Sequence, residues 1–241
     1  MSDLTTAVPR RLTFSRGFSL VEMAVVLVIV ALLIAGMMLP LSAQQDIRAR
    51  QETEKTLNDI REALLGYAAG HAASDLKPYL PCPDKTNDTG DSKHHDGLED
   101  RGAGACEFQE GNIPWATLGL GRNDAWNNRF RYRVSAAFSN STSGFILNSS
   151  GDLNVCADNA CAATVAGNVP AVVLSHGSNG AGAFNMIGGA NPAPTGADEL
   201  ENSDNDIRFV SRISEAGFDD LVMWVPPSVL TNRMISAGKL P

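Results

Sequence analysis

Four groups of residues have types and spacings that could do chemistry. Glu22 is one carboxylate in an almost wholly apolar run, FSLVEMAVVLVIVALLIAGMML, residues 18–39. A carboxylate in hydrocarbon is costly and is kept where a cation meets it, so Glu22 calls for a positive partner. Asp204 and Asp206 in SDNDI, with Asn179 in SHGSNG, are oxygen donors of the kind calcium takes on flexible loops, and Glu199 and Glu201 stand near enough in sequence to add charge. A second acidic stretch, residues 88–100, lacks the spacing of an EF-hand loop. Cys82, Cys106, Cys156 and Cys161 are the four cysteines. Cys82 with Cys106 and Cys156 with Cys161 are the natural pairs, although four cysteines allow three connectivities and the sequence does not choose among them. A zinc centre using cysteines with His94 and His95 is the alternative, weakened by the absence of a CxxC motif. Ser175 and His176 raise a hydrolase reading, but no GxSxG turn surrounds the serine, and neighbours in a strand point to opposite faces. The chain reads as a non-enzyme.

These groups sit in a chain of 241 residues with a formal charge of −8. That balance argues against a phosphate-binding surface and against nucleic acid as a direct ligand. Residues 23–39 are apolar without interruption, and at about 1.5 Å per residue they cover most of a hydrocarbon core roughly 30 Å thick. Arg10, Arg11 and Arg16 precede the run with only Asp3 against them. The positive-inside bias therefore places the N-terminus in the cytoplasm and the larger C-terminal part across the membrane.

The residues Arg16-Gly17-Phe18-Ser19-Leu20-Val21-Glu22 resemble the N-terminal cleavage and methylation motif of type IV pilins and type II secretion pseudopilins. The resemblance implies that a prepilin peptidase cuts between Gly17 and Phe18, that Phe18 is methylated, and that Glu22 aligns each subunit with a neighbour's N-terminus. The freed α-amino group of Phe18 is then a cation four residues from Glu22, in the same chain or in an adjacent subunit. The implied partners are the peptidase, other pilin-like subunits and the inner-membrane assembly platform, and the implied location is the bacterial inner membrane, single-pass, with a periplasmic head.

Three further segments resemble major pseudopilins. Asp124 to Phe130 is similar to an Asp-Pro-Trp-Gly-Asn turn, with Ala125 and Asn127 in place of Pro and Gly. Ser175 to Gly180 is similar to a Ser-x-Gly-x-Asp-Gly loop, and Asp204 to Ile207 to an Asp-x-Asp-Ile segment; the resemblance makes the last two a calcium loop. About twenty residues, 185–203, are inserted between them.

The implied fold is α+β and pilin-like: a long N-terminal helix, membrane-spanning in its first half and amphipathic in its second, packed on an antiparallel β-sheet head with long loops. The organisation expected is a leader at 1–17, a transmembrane half-helix at 18–39, an amphipathic half at 40–72 and a head at 73–241. Leu57, Ile60, Leu64 and Ala68 recur on one helical face, opposite Arg50, Glu54, Lys55, Arg61 and Glu62. Pro40 is expected to kink or open the helix beside Gly36. Residues 74–112 read as a long loop. Strands are expected at 130–136, 144–147, 171–175, 183–187, 207–213 and 221–225, and a tail helix with Ser228 as N-cap and Gly238 as its stop.

The favoured function is a structural subunit of a secretion pseudopilus or type IV pilus, with a minor role suggested by the large, loop-rich head. The alternatives are a binding module built from 74–112 and 188–203, and an anchored periplasmic enzyme.

Overall fold

The computed structural model describes residues 17–86 and 93–241, with the backbone alone for 36–43. The leader's Arg10, Arg11 and Arg16, and Asp88 and Asp91 of the second acidic stretch, lie outside the described residues. The chain divides into two units, Met1–Gln45 and Asp46–Pro241.

Helix α1 is Leu20–Gly70. Within the first unit, its residues 20–35 are all exposed. No helix among the described residues is long and apolar enough to cross a membrane. The apolar stretch with described side chains, 20–35, reaches only about 24 Å at 1.5 Å per residue; the sequence continues it with Gly36, Met37, Met38 and Leu39. Helical backbone runs on through Gly36 and Pro40, so the local opening expected at the proline is not observed.

In the second unit the elements after α1 are β1 (Arg101–Gly102), β2 (Ala105–Cys106), β3 (Glu110–Asn112), α2 (Trp115–Leu118), β4 (Arg131–Val134), α3 (Ala136–Ser139), β5 (Leu153–Cys156), β6 (Thr164–Val169), β7 (Ala171–Ser175), α4 (Ala197–Glu201), β8 (Arg208–Val210), β9 (Leu221–Trp224) and α5 (Pro227–Ser236). A four-stranded antiparallel sheet has the order β3-β4-β7-β9. A three-stranded sheet, β6-β5-β8, is mixed, because β5 and β8 run parallel. β1 and β2 form a separate short hairpin.

β7 explains the layering. All five of its residues are buried, which a sheet with one wet face does not allow. Ala171 and Val173 join Leu57, Ile60, Leu64 and Ala68 of α1 in the main core, while Val172 and Leu174 join Leu153, Val155, Val169 and Phe209 in a second one. Side chains alternate across a strand, so one face of β7 meets the helix and the other meets the smaller sheet. The expected helical face is thus the packed face. α5 adds Leu230 and Met234 to the main core and ties Arg233 to Glu62 at 2.7 Å.

Several strand boundaries differ from expectation. The expected 130–136 strand is Arg131–Val134, since Ala136 already begins α3, and 207–213 contracts to Arg208–Val210. No strand forms at 144–147 or 183–187: Phe145 is buried from a loop, and Phe184 makes only an isolated bridge to Ala190. The expected 74–112 loop carries β1, β2 and β3 at its C-terminal end, and β5 and β6 are likewise outside the expected strands. α5 starts on Pro226 and Pro227 rather than on a Ser228 cap, consistent with proline's preset φ. Gly238 does stop it: at φ +68° its N–H bonds Ile235 O while Lys239 N–H bonds Met234 O, a Schellman closure.

Candidate functional site

At the N-terminus, Gly17, Phe18 and Ser19 are non-helical and exposed, and α1 begins at Leu20. The Gly17–Phe18 bond therefore lies in open backbone immediately before the helix. Ser19 and Glu22 form a reciprocal capping box: Ser19 N–H donates to Glu22 Oε2 at 2.8 Å, and Glu22 N–H donates to Ser19 Oγ at 3.2 Å. Glu22 thus has a local capping role besides the cationic partner its apolar setting calls for. Its carboxylate tethers the helix start one residue after Phe18, and it also favours the positive end of the helix dipole.

The head contains two acidic clusters, and they divide the residues expected to hold calcium. Asp204 and Asp206 gather with Glu201. Arg208 pairs with two of its three carboxylates, at 2.8 Å from Glu201 and 3.3 Å from Asp206, and Asp206 also accepts the Arg208 N–H. Asn179 is elsewhere. Its N–H donates to Asp219 and its side-chain amide to Glu199, both at 2.9 Å, within the cluster Glu199–Asp219–Asp220. Of the expected trio, Asp204 and Asp206 thus gather with Glu201, while the hydrogen bonds of Asn179 run to Glu199 and Asp219. The inserted segment forms α4 over Ala197–Glu201, and from it Glu199 meets the Asn179 loop.

The Glu199 cluster is the more buried of the two. Glu199 and Asp220 are buried, and Asp219 Oδ1 and Asp220 Oδ1 are buried with no hydrogen-bond partner. Burial, with the charges of Asp220 and Asp219 nearby, pushes the Glu199 carboxyl up. Gly177 lets the chain close over this cluster: at φ +60° a Cβ there would meet the Asp219 backbone oxygen at 2.5 Å.

The remaining candidates have structural partners. Cys82 bonds Cys106 and Cys156 bonds Cys161, with Cα atoms 5.2 and 5.0 Å apart, so no cysteine remains to join His94 and His95 around zinc. His95 instead packs its ring on Phe184 and shares a 2.9 Å hydrogen bond with Asn112. Ser175 donates to Asp124 at 2.6 Å, and His176 Nδ1 stands 3.7 Å from Asp220, so the two are not arranged as nucleophile and base. Asp124 also accepts the N–H groups of Trp126 and Asn128, and Asn127 takes φ +66°, the left-handed conformation for which its counterpart in the resembled turn uses glycine. A polar cavity beneath the arginines of β4 escaped sequence reading; the alternation RFRYRV showed a wet face but not that other segments roof it.

No curated protein and no solved structure matches the chain. Residues 13–38 match the family model described as the prokaryotic N-terminal methylation motif. The chain therefore carries the signature of type IV pilin and pseudopilin precursors, which implies processing by prepilin peptidase and assembly with other pilin subunits.

Proposed function

We propose that this chain is a minor pilin or pseudopilin: a precursor cut at Gly17–Phe18, methylated on Phe18, and held once through the bacterial inner membrane with its head in the periplasm. An assembly platform then draws it into a type II secretion pseudopilus or a type IV pilus. The observation that carries this reading is a helix apolar on every side, beginning two residues after the scissile bond and uncovered from Leu20 to Ala35. Such a surface needs hydrocarbon or other helices around it. Glu22 fits both settings. It caps the helix within one chain, and in a low-dielectric bundle its charge attracts an ammonium strongly.

The test separates these two roles. Intact-mass measurement of the protein from its native membrane should give a mature chain starting at a methylated Phe18; a start at Met1 overturns the proposal. Glu22→Gln keeps a capping-box side chain while removing the charge. The variant should be inserted and processed normally yet be lost from filaments, whereas incorporation at the unsubstituted level removes the charge-pairing mechanism.

We also propose that calcium, the cofactor suggested by sequence, is held by Glu199, Asp219 and Asp220 with Asn179 rather than by Asp204 and Asp206. The unpartnered buried oxygens support this assignment, and a bound ion would supply the charge they lack. At calcium about 100-fold above its dissociation constant, linkage gives about 2.7 kcal/mol, which is a rise of roughly 5 °C or more in the head's melting temperature. Asp219→Asn should abolish that rise and Asp206→Asn should leave it. A melting curve indifferent to calcium and chelator overturns the assignment.

A further inference from the structure

The chain is acidic overall, yet it concentrates guanidinium groups around one cavity. Arg129, Arg131 and Arg133 follow one another at the two-residue period of an extended segment and line the same side of a cavity of about 440 Å³ in the head. Among the described residues Glu110 is the single acidic residue lining it, against three arginines, in a molecule of net charge −8.

The arginines are fixed in place. Glu110 is gripped by Arg131 and by Arg133, the latter at 2.8 Å. Arg131 also donates to Ser203 O at 3.2 Å, and Arg133 to the Asn205 side chain at 3.1 Å. Arg129 donates to the carbonyls of Asn185 and Met186, each at 3.2 Å, and its guanidinium lies 4.4 Å from the centre of the Trp115 ring. Holding long side chains this way removes the rotamer entropy a ligand would otherwise have to overcome.

Two lining residues nevertheless retain unused polar atoms. Arg133 Nε is buried without a partner. His176, 1% exposed, lines the same cavity; among the described residues neither of its ring nitrogens has a hydrogen-bond partner, and Nδ1 stands 3.7 Å from Asp220. Buried polar groups are normally satisfied, so two lining residues with unpaired buried atoms leave the wall of the cavity incompletely satisfied among the described residues. The volume falls in the range of small-molecule sites, and Phe108 and Phe184 give it apolar walls beside the polar ones.

We propose that this cavity is a binding site for a small organic anion, whose carboxylate or phosphate group is taken by the Arg131–Arg133 face and whose body lies against Phe108 and Phe184. Guanidinium forks match both oxyanions, so the head group is left to the test. The site adjoins the acidic cluster, since His176 in its lining stands 3.7 Å from Asp220, but its lining takes no residue from the membrane-helix motif, and its failure would leave the subunit reading untouched.

The experiment uses full-length protein in detergent micelles, titrated calorimetrically at constant ionic strength with inorganic phosphate, citrate, glucuronate and, as an uncharged control, glucose. Saturable binding of an anion without binding of glucose is expected. Phosphate winning over the two carboxylates assigns a phosphate ligand, and the reverse order assigns a carboxylate. Arg133→Gln should weaken binding by about tenfold or more. Because Arg133 also holds Glu110, Phe108→Glu provides a second variant at a partly exposed wall, where the added charge should repel the ligand by at least as much while the melting temperature is unchanged. No saturable binding of any anion probe, or binding that survives Phe108→Glu at full strength, overturns the proposal.

Discussion

The two units handle apolar residues in opposite ways. In the first, Leu20 is 90% exposed and each described side chain as far as Ala35 is exposed as well; in the second, Ile60 and Leu64 of the same helix are wholly buried. The difference lies in the sequence pattern. Residues 23–39 are apolar at every position, so no polar face exists to turn outward, whereas 57–68 place apolar residues on one side and charges on the other. Burying a leucine contributes about 2 kcal/mol. The head gains this from its own sheet, while the first unit obtains it only from surroundings the chain does not supply. One stretch is built to be covered by something else and the other is already covered.

A pair of substitutions tests that contrast where it should be largest. Leu64→Ala empties a fully packed position in the main core and should lower head stability by about 3 kcal/mol, read from denaturant unfolding. Val28→Lys, in the exposed unit, should leave that unfolding curve unchanged while costing about 3 kcal/mol of membrane insertion, read from alkaline extraction of membranes. A head destabilised by Val28→Lys would break the comparison, because residue 28 would then be part of the folded core.

The parts of the molecule legible in sequence are those where one local pattern suffices. The cleavage motif, the apolar run, the amphipathic face of α1 and the strand β7, apolar from Ala171 to Leu174, each announce themselves over a few residues. What was not legible depends on long-range packing. Phe145 and Phe184 looked like strand residues because they sit in short apolar runs, but each fills a space from a loop. β6 was hidden because it is largely exposed and contains Gly167. Its partner β5 is only four residues long. The acidic residues show the same limit: Asp204 and Asp206 lie close in sequence, yet Asn179 joins Glu199 and Asp219, up to 40 residues away. Spacing identified suitable donors, and the fold of the insertion decided which of them meet.

Burial in the head also reaches charged groups, and this yields a smaller, pH-dependent prediction. Asp84 is fully buried, accepting the Asn112 amide at 2.8 Å and the Asp96 N–H at 3.1 Å. Burial pushes its carboxyl up to about 7, with the charges of Asp96 and Asp100 adding to the rise. Between the unfolded value near 4 and the folded value, the native state holds a proton that the unfolded chain has released. Asp84 therefore contributes stability at low pH that is lost as pH rises towards 7. His95, beside it across Asn112, acts in the opposite sense: burial, with Arg129 and His94, holds it down at about 4, so its contribution is present above about 6.5 and is lost as pH falls. The opposing slopes partly cancel in the unsubstituted protein. Asp84→Asn removes one of them, so the stability of the variant relative to the parent should rise between pH 4 and pH 8 by on the order of 1–2 kcal/mol. The slope of that difference is the measurement, since any constant cost of the amide affects every pH alike. A difference flat across the range would mean that Asp84 is ionised within the fold, and the head would then resemble the exposed unit in leaving its acids to solvent.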